Sequence, residues 1–245
     1  MMALRRAMER QRDQRRHHDI WCTFFSPERA VPFAEGFGIL ETLNEDRLPP
    51  GASSSVDSLR KSEVVTYVCE GALAHGSRVG GSSIIRAGEF QQWSARGTSE
   101  CRRGNALGSH WTHAFHVGFR TGEAGAASSP SQKRFSAAER RGGLRVVASP
   151  DGRQGSLRLH QDASVYSALI VAGHHVVHEL LPGRSAWLHI IDGTAILANT
   201  LLTAGDGVGI SAERGVSLTA RTDTEVLLVE LGGQLLRSGV GARWP

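Results

Sequence analysis

The stretch VVTYVCEG (64–71), followed by IIRAGEF (84–90), returns in the second half of the chain as WLHIIDG (187–193) followed by LLTAGDG (201–207). Each copy is an apolar run that ends in an acidic residue and Gly, then a second run, then Ala-Gly and another acidic residue. The Gly of each first element closes a hairpin where positive φ is needed, and each Ala-Gly turn leads into the next strand. Such a duplication implies two stacked β-barrels. Outward from it, further short runs bounded by turn residues read as strands: GFGILETL (36–43), SSIIRAGEFQQWS (82–94) and THAFHVGF (112–119) before the midpoint. After it come LRVVAS (144–149), GSLRLHQDASVYSALIVA (155–172), VVHELL (176–181), GVGIS (207–211), VSLTA (216–220) and EVLLVEL (225–231). Between the halves, TGEAGAASSPSQKRFSAAERRG (121–142) is small and polar, with a short helical turn expected at SAAER. The expected fold is therefore all-β, two antiparallel barrels of jelly-roll type in one chain. The expected division is 1–125 for the first barrel, 126–142 for a linker and 143–245 for the second barrel.

Composition agrees and excludes several functions. The 245 residues include 29 Gly and only 6% aromatics, favouring tight turns over helical bundles. No apolar run approaches the roughly 20 residues of a membrane span, so no membrane role is expected. The formal charge is +4, and all basic residues except Lys61 and Lys133 are Arg. Their one dense cluster, Arg5, Arg6, Arg10, Arg12, Arg15 and Arg16, has no interleaved aromatics, so it reads as a solvated edge and no nucleic-acid partner is expected. The start also lacks the apolar core of a secretory signal, which points to the cytoplasm. Three cysteines far apart, Cys22, Cys69 and Cys101, argue for reduced thiols rather than disulfides or a zinc knuckle.

Particular residues resemble one family. Asp19, Trp21, Thr23 and Phe24, then Val65-Thr66-Tyr67-Val68 with Glu70-Gly71, and Ala87-Gly88-Glu89-Phe90-Gln91 with Ser94-Ala95, are similar to the first barrel of the pirin family of bicupins. In the second half, Ser149-Pro150-Asp151-Gly152, Gly155-Ser156-Leu157, His160-Gln161-Asp162 and Tyr166 continue the resemblance, through Val177-His178, Trp187, Asp206-Gly207 and Glu225-Val226-Leu227-Leu228. The resemblance implies a bicupin whose first barrel holds one metal, usually iron, through His-x-His, a later His and a Glu two residues after it. In several members that site supports quercetin 2,3-dioxygenase activity. Imidazole and carboxylate suit divalent iron and leave open positions for substrate and dioxygen.

Carried over position by position, those ligands fall on Asp57, Leu59, Cys101 and Arg103, while Asn105 agrees with an Asn of the family pattern. Leu59 cannot ligate, and Arg103 is permanently cationic where a cation would sit. No histidine lies between His18 and His75 or between His75 and His110. The expectation is that the metal site is lost, with no metal and no cofactor. An ion pair of Arg103 with Asp57 is expected to span the old pocket. Asp57, Cys101 and Arg103 are the candidate catalytic residues, with Leu59, Tyr67, Gln91, Trp93 and Asn105 lining a pocket for a small aromatic or anionic molecule. Asp57 as base and Arg103 as oxyanion partner would suit metal-free isomerase, cyclase or lyase chemistry. Cys101 beside Arg102 and Arg103 is either a low-pKa nucleophile or a filler of the vacated position. On strand alternation His110 and His116 share a face that His113 does not, and His174 and His178 share another; all read as solvated or hydrogen-bonded.

Two readings of function follow: metal-independent binding or chemistry in the first barrel, and, from another class, a non-enzymatic regulatory protein that contacts a protein partner through its basic start. A quercetinase with displaced ligands ranks last. Whether the chain is an enzyme stays open, and a monomer is expected.

Overall fold

Alternation decides the architecture. Along the strand Ser62–Glu70, Val65 and Tyr67 face one way and Val64, Thr66 and Val68 the other, and both sets are buried. A strand apolar on both faces must lie between two packed layers. The computed structural model describes residues 1–15, 18–24, 33–56, 62–77, 81–94, 101–121 and 130–232. In it this strand sits near the middle of a seven-stranded sheet, in the order Ser131–Arg134, Glu89–Ser94, Ser62–Glu70, Thr112–Arg120, Leu40–Leu48, His18–Cys22, Gln11–Arg15. A four-stranded sheet, Ser53–Val56, Cys101–Asn105, Ala72–Ser77 and Gly81–Arg86, closes over one face to complete the first barrel.

The second half repeats the plan. Its large sheet runs Met2–Arg5, Gly207–Ile210, Ser185–Asp192, Thr224–Leu231, Ala163–Ile170, Arg145–Ser149 and Leu157–Arg158, and its small sheet His175–Glu179, Gly215–Ala220, Thr194–Leu197, Thr200–Thr203. Among the described residues, three apolar clusters result. Leu48, Val68, Leu73, Ile85 and Ala114 fill one end of the first barrel. Tyr166, Ala168, Leu188, Val208, Leu218 and Leu228 are among those filling the second. The two large sheets then face each other across Val65, Phe90, Phe115 and Phe119 on one side and Val147, Val165, Trp187, Leu227 and Val229 on the other. The two β-barrels expected from the repeat, and the bicupin that the family resemblance implies, are thus the observed fold.

The strand pairing crosses the expected boundaries at two places. Met2–Arg5 extends the second barrel, pairing Met2 with Ile210 and Arg5 with Gly207, whereas Gln11–Arg15 joins the first. In the expected linker, Ser131–Arg134 adds an edge strand to the first barrel, and the helical turn Ala137–Arg140 forms behind a Ser136 cap. The basic start is not a free arm. Arg5 is buried, Arg6 pairs with Asp206 at 3.0 Å, Arg10 with Glu45 at 2.7 Å and Arg12 with Asp19 at 2.9 Å. Arg5 and Arg10 are thus committed to the fold, while Arg6 and Arg12 stay half-exposed within their ion pairs.

The repeat also shows in backbone strain. Gly71 and Gly193 do not close hairpins as expected: in each barrel the glycine turns the chain from the large sheet into the small one, with φ of 73° and 83°. A Cβ on Gly71 would lie 2.4 Å from the Trp111 carbonyl oxygen, and one on Gly193 2.2 Å from that of Asp223. Gly183 shares the left-handed conformation, at φ 81°, but faces open space. Gly183→Ala should therefore cost only the conformational term, about 1 kcal/mol. Gly193→Ala adds a backbone collision and should cost about 3 kcal/mol or more. Urea unfolding of the two variants measures the difference, and equal losses would show that the Asp223 turn yields freely.

Candidate ligand site in the first barrel

The inward face of the first barrel combines apolar and polar side chains. Register places His116 between Asn44 and Thr66, Thr66 opposite Gln91, and Val64 opposite Trp93 on the large sheet. On the small sheet Arg103 lies opposite His75, and His75 opposite Ser83. Leu73 and Ile85, in register with Asn105, belong to the barrel core, which fixes this face as the interior.

Asp46 is the hub. His116 Nε2 lies 3.1 Å from Asp46 Oδ2, Arg103 Nη1 3.6 Å and His18 Nε2 3.7 Å. On its other nitrogen His116 meets Thr66 Oγ1 at 3.0 Å, and Trp93 Nε1 donates to that same hydroxyl at 3.3 Å. One direction satisfies the whole line: Trp93 N–H to Thr66, Thr66 O–H to His116 Nδ1, His116 Nε2–H to Asp46. This needs a neutral His116. Burial first, then the charge of Arg103, hold its pKa at about 4 despite Asp46, so the neutral form is the one present at pH 7. Burial alone would raise the Asp46 carboxyl, but His116 above all, then His18 and Arg103, bring it well below the usual range.

A second line starts at His75. Its Nδ1 lies 2.7 Å from Gln91 Oε1, and Gln91 Nε2 donates to Ser83 Oγ at 2.7 Å and to Gln132 Oε1 at 3.1 Å. Burial and the nearby Arg103 lower the His75 pKa to about 4. Its ring packs against that of Trp93 with centroids 4.7 Å apart, and Arg103 lies 5.9 Å from the Trp93 centroid.

Of the residues expected to form the pocket, the structure brings together Arg103, Gln91 and Trp93. Tyr67 is a correction. It is on the opposite face of its strand, stacked on Phe90 in the layer between the barrels, where its hydroxyl donates to Glu225 and accepts from Arg140 Nη1 at 2.8 Å. Asn105 is a second correction. Its amide donates to the carbonyls of Leu48 and His110, and its Oδ1 accepts from the Leu107 amide, so it ties down the turn after its strand. Asp57 and Leu59 lie outside the described residues, and with them the expected Arg103–Asp57 pair. The acidic partner seen for Arg103 is Asp46. For Cys101 only the backbone is described, opposite Ser77 and Val56.

The histidines divide as alternation requires. His116 points inward, whereas His113 points between the barrels and bonds Glu45 at 2.8 Å. His110 precedes the strand and is exposed, so it shares no strand face with His116. His178 is hydrogen-bonded to Glu230 at 2.8 Å, while His174 is exposed. Cys69 donates to the His113 carbonyl, and burial pushes its thiol pKa up, which suits a core residue.

Sequence reasoning missed Asp46 and His18. Both reach the site through sheet pairing across long separations, and no local spacing marks them. Among the described residues, no group of three or more His, Cys, Asp or Glu side chains is arranged to hold a metal ion. With a buried guanidinium at their centre, the described donors do not fit a divalent cation.

Known proteins bear on this site. Residues 146–231 match the family model described as the quercetinase C-terminal cupin domain. The chain is 30% identical over 231 residues to a quercetin 2,3-dioxygenase of Escherichia coli K12, covering 94% of this chain and 99% of that protein. It is 27% identical over 216 residues to a pirin-like protein of Caulobacter vibrioides, covering 88% and 90%. Its fold superposes on the crystal structure of YhhW from Escherichia coli with a TM-score of 0.83 at 30% identity, covering 96% and 99% of the two chains. A second structure of YhhW, in complex with nickel(II), gives 0.82 at the same identity over 95% and 99%.

Proposed function

Because this chain belongs to the pirin family of bicupins, and Arg103 stands where the family resemblance expects a metal-binding carboxylate, we propose that its first barrel binds a small organic molecule without a metal. The observation that carries this reading is the Arg103 guanidinium itself, 3% exposed and ion-paired with Asp46 inside the barrel. A buried fixed cation repels a second cation and attracts anionic or electron-rich groups. Its pairing with Asp46 also does part of what a metal does for a barrel, cross-linking the small sheet to the large one. Trp93, Gln91, His75 and Thr66 add an aromatic wall and hydrogen-bonding groups around it. Binding and polarisation are the chemistry these residues supply; Asp57, the candidate base, is outside the described residues.

Elemental analysis of the purified protein tests this directly. Metal well below one equivalent per chain and no oxygen consumption with quercetin are the expected results. Stoichiometric metal together with quercetin turnover, as the name of the Escherichia coli relative would suggest, would overturn the reading.

A further inference from the structure

We infer that the molecule held in the first barrel is a monocarboxylate, gripped side-on by Arg103; this rests on the metal-free reading and names its ligand class. The guanidinium reaches Asp46 only through Nη1, at 3.6 Å. Nε and Nη2 are both buried with no hydrogen-bond partner among the described residues. These two nitrogens share one edge of the guanidinium, and their N–H groups run parallel at the spacing of the two oxygens of one carboxylate. A buried donor without a partner is costly, and a pair on one fork is costlier still. A ligand carboxylate satisfies both at once. His18, whose Nε2 lies 3.7 Å from Asp46 Oδ2, has a buried Nδ1 without a hydrogen-bond partner among the described residues, a further donor or acceptor beside Asp46.

Charge narrows the class. Asp46 already stands against Arg103, and His75 and His116, both beside them, are neutral at pH 7. The set Arg103, Asp46, His75 and His116 is therefore near zero net charge. A monoanion takes it to one net negative charge, whereas a dianion such as a phosphate ester adds a second beside Asp46 in a poorly solvated interior. The Trp93 ring offers a planar apolar wall next to the fork. A small aromatic acid matches this combination.

The test is calorimetric titration of the full-length protein with benzoate, its neutral isostere benzamide and the dianion phenyl phosphate. Benzoate should bind, and benzamide and phenyl phosphate each at least about tenfold more weakly, the scale of a charge-assisted bidentate pair. Arg103→Met should lose benzoate by about tenfold or more, and Arg103→Lys by nearly as much, because an ammonium keeps the charge but not the fork. Circular dichroism establishes that each variant is folded. Should either fail to fold, Asp46→Asn supplies an independent arm: removing the opposing carboxylate should strengthen phenyl phosphate binding severalfold and erase the preference for benzoate. A merely structural Arg103 would not produce that reversal. Equal benzoate affinity in wild type and Arg103→Met, a wild-type preference for phenyl phosphate, or no benzoate binding overturns the inference. In protein that is metal-free and inert toward quercetin, those results leave the metal-free reading standing, whereas stoichiometric metal with quercetin turnover overturns both.

Discussion

Acidifying the protein from pH 7 to pH 5 should remove on the order of 5 kcal/mol of folding stability, as much as many domains possess. Three imidazoles are responsible. Burial first, and the charge of Arg103 second, lower His75 and His116 to about 4. Burial first, and Arg10 second, lower His189 to about 3. In the unfolded chain each titrates near 6.5. A histidine whose folded pKa is depressed contributes fully above the unfolded value, and its contribution is lost as pH falls from 6.5 toward the folded value, because the unfolded chain takes up protons that the native state refuses. Each imidazole then accounts for about 2 kcal/mol by pH 5. The carboxyls act in a lower window. Burial opposes ionisation of Glu45, but hydrogen bonds and charge from His113 and Arg10 hold it at about 2, so its contribution persists above the ordinary carboxyl range near 4 and is lost below it. Urea unfolding at pH 7, 6 and 5 would show the first window, and His189→Gln should flatten the slope by roughly a third. Stability constant to within about 1 kcal/mol across that range would mean that the three rings are hydrated in the native state.

Glu225→Ala should cost about 3 kcal/mol, the penalty for stranding a buried cation. Glu225, on the second barrel's strand Thr224–Leu231, accepts from Arg140 Nη1 at 2.6 Å and from the Tyr67 hydroxyl. Tyr67 belongs to the first barrel and Arg140 to the helical turn between the two, so one carboxylate joins three parts of the chain. Arg140 is largely buried and its guanidinium also lies over the Tyr67 ring, 5.2 Å from the centroid. With Glu225 removed, only the Tyr67 and Ser167 hydroxyls remain, among the described residues, as hydrogen-bond partners of Arg140 Nη1. Glu225→Gln keeps a carbonyl acceptor and should lose roughly half as much. If the alanine variant costs less than about 1 kcal/mol, water has replaced the carboxylate and the trio does not hold the barrels together.

Tyr67 also shows what one sequence can and cannot disclose. Two turn glycines at matching places in two copies of one pattern were enough to expect two barrels, although each turns a corner between sheets rather than closing a hairpin. Alternation along VVTYV equally separates Thr66 from Tyr67. It does not say which of them enters the barrel, since in a sheet covered on both sides each face is apolar. Tyr67 was expected in the pocket and lies between the sheets, and Thr66, quoted only as part of the family motif, is the residue that faces His116. Arg103, Gln91 and Trp93 were legible because the family pattern fixes their register relative to quoted motifs. Asp46 was not, because LETLNEDRL offers three acidic residues of similar appearance, and only pairing with Thr112–Arg120 and His18–Cys22 decides that Asp46 turns inward and Glu45 outward.

The first strand has a bearing on how the molecule is made. Met2–Arg5 finds its partner only at Gly207–Ile210. At synthesis rates of about 5–20 residues per second, roughly 10–40 s pass between the emergence of the two. During that interval the segment is an unpaired β-strand of a nascent chain whose first barrel is already being assembled. Once Gly207–Ile210 appears, it presents an open edge to any copy of Met2–Arg5 within reach. On crowded ribosomes the neighbouring chain carries the same strand, so exchange of this short segment between two molecules is the misassembly that this topology invites.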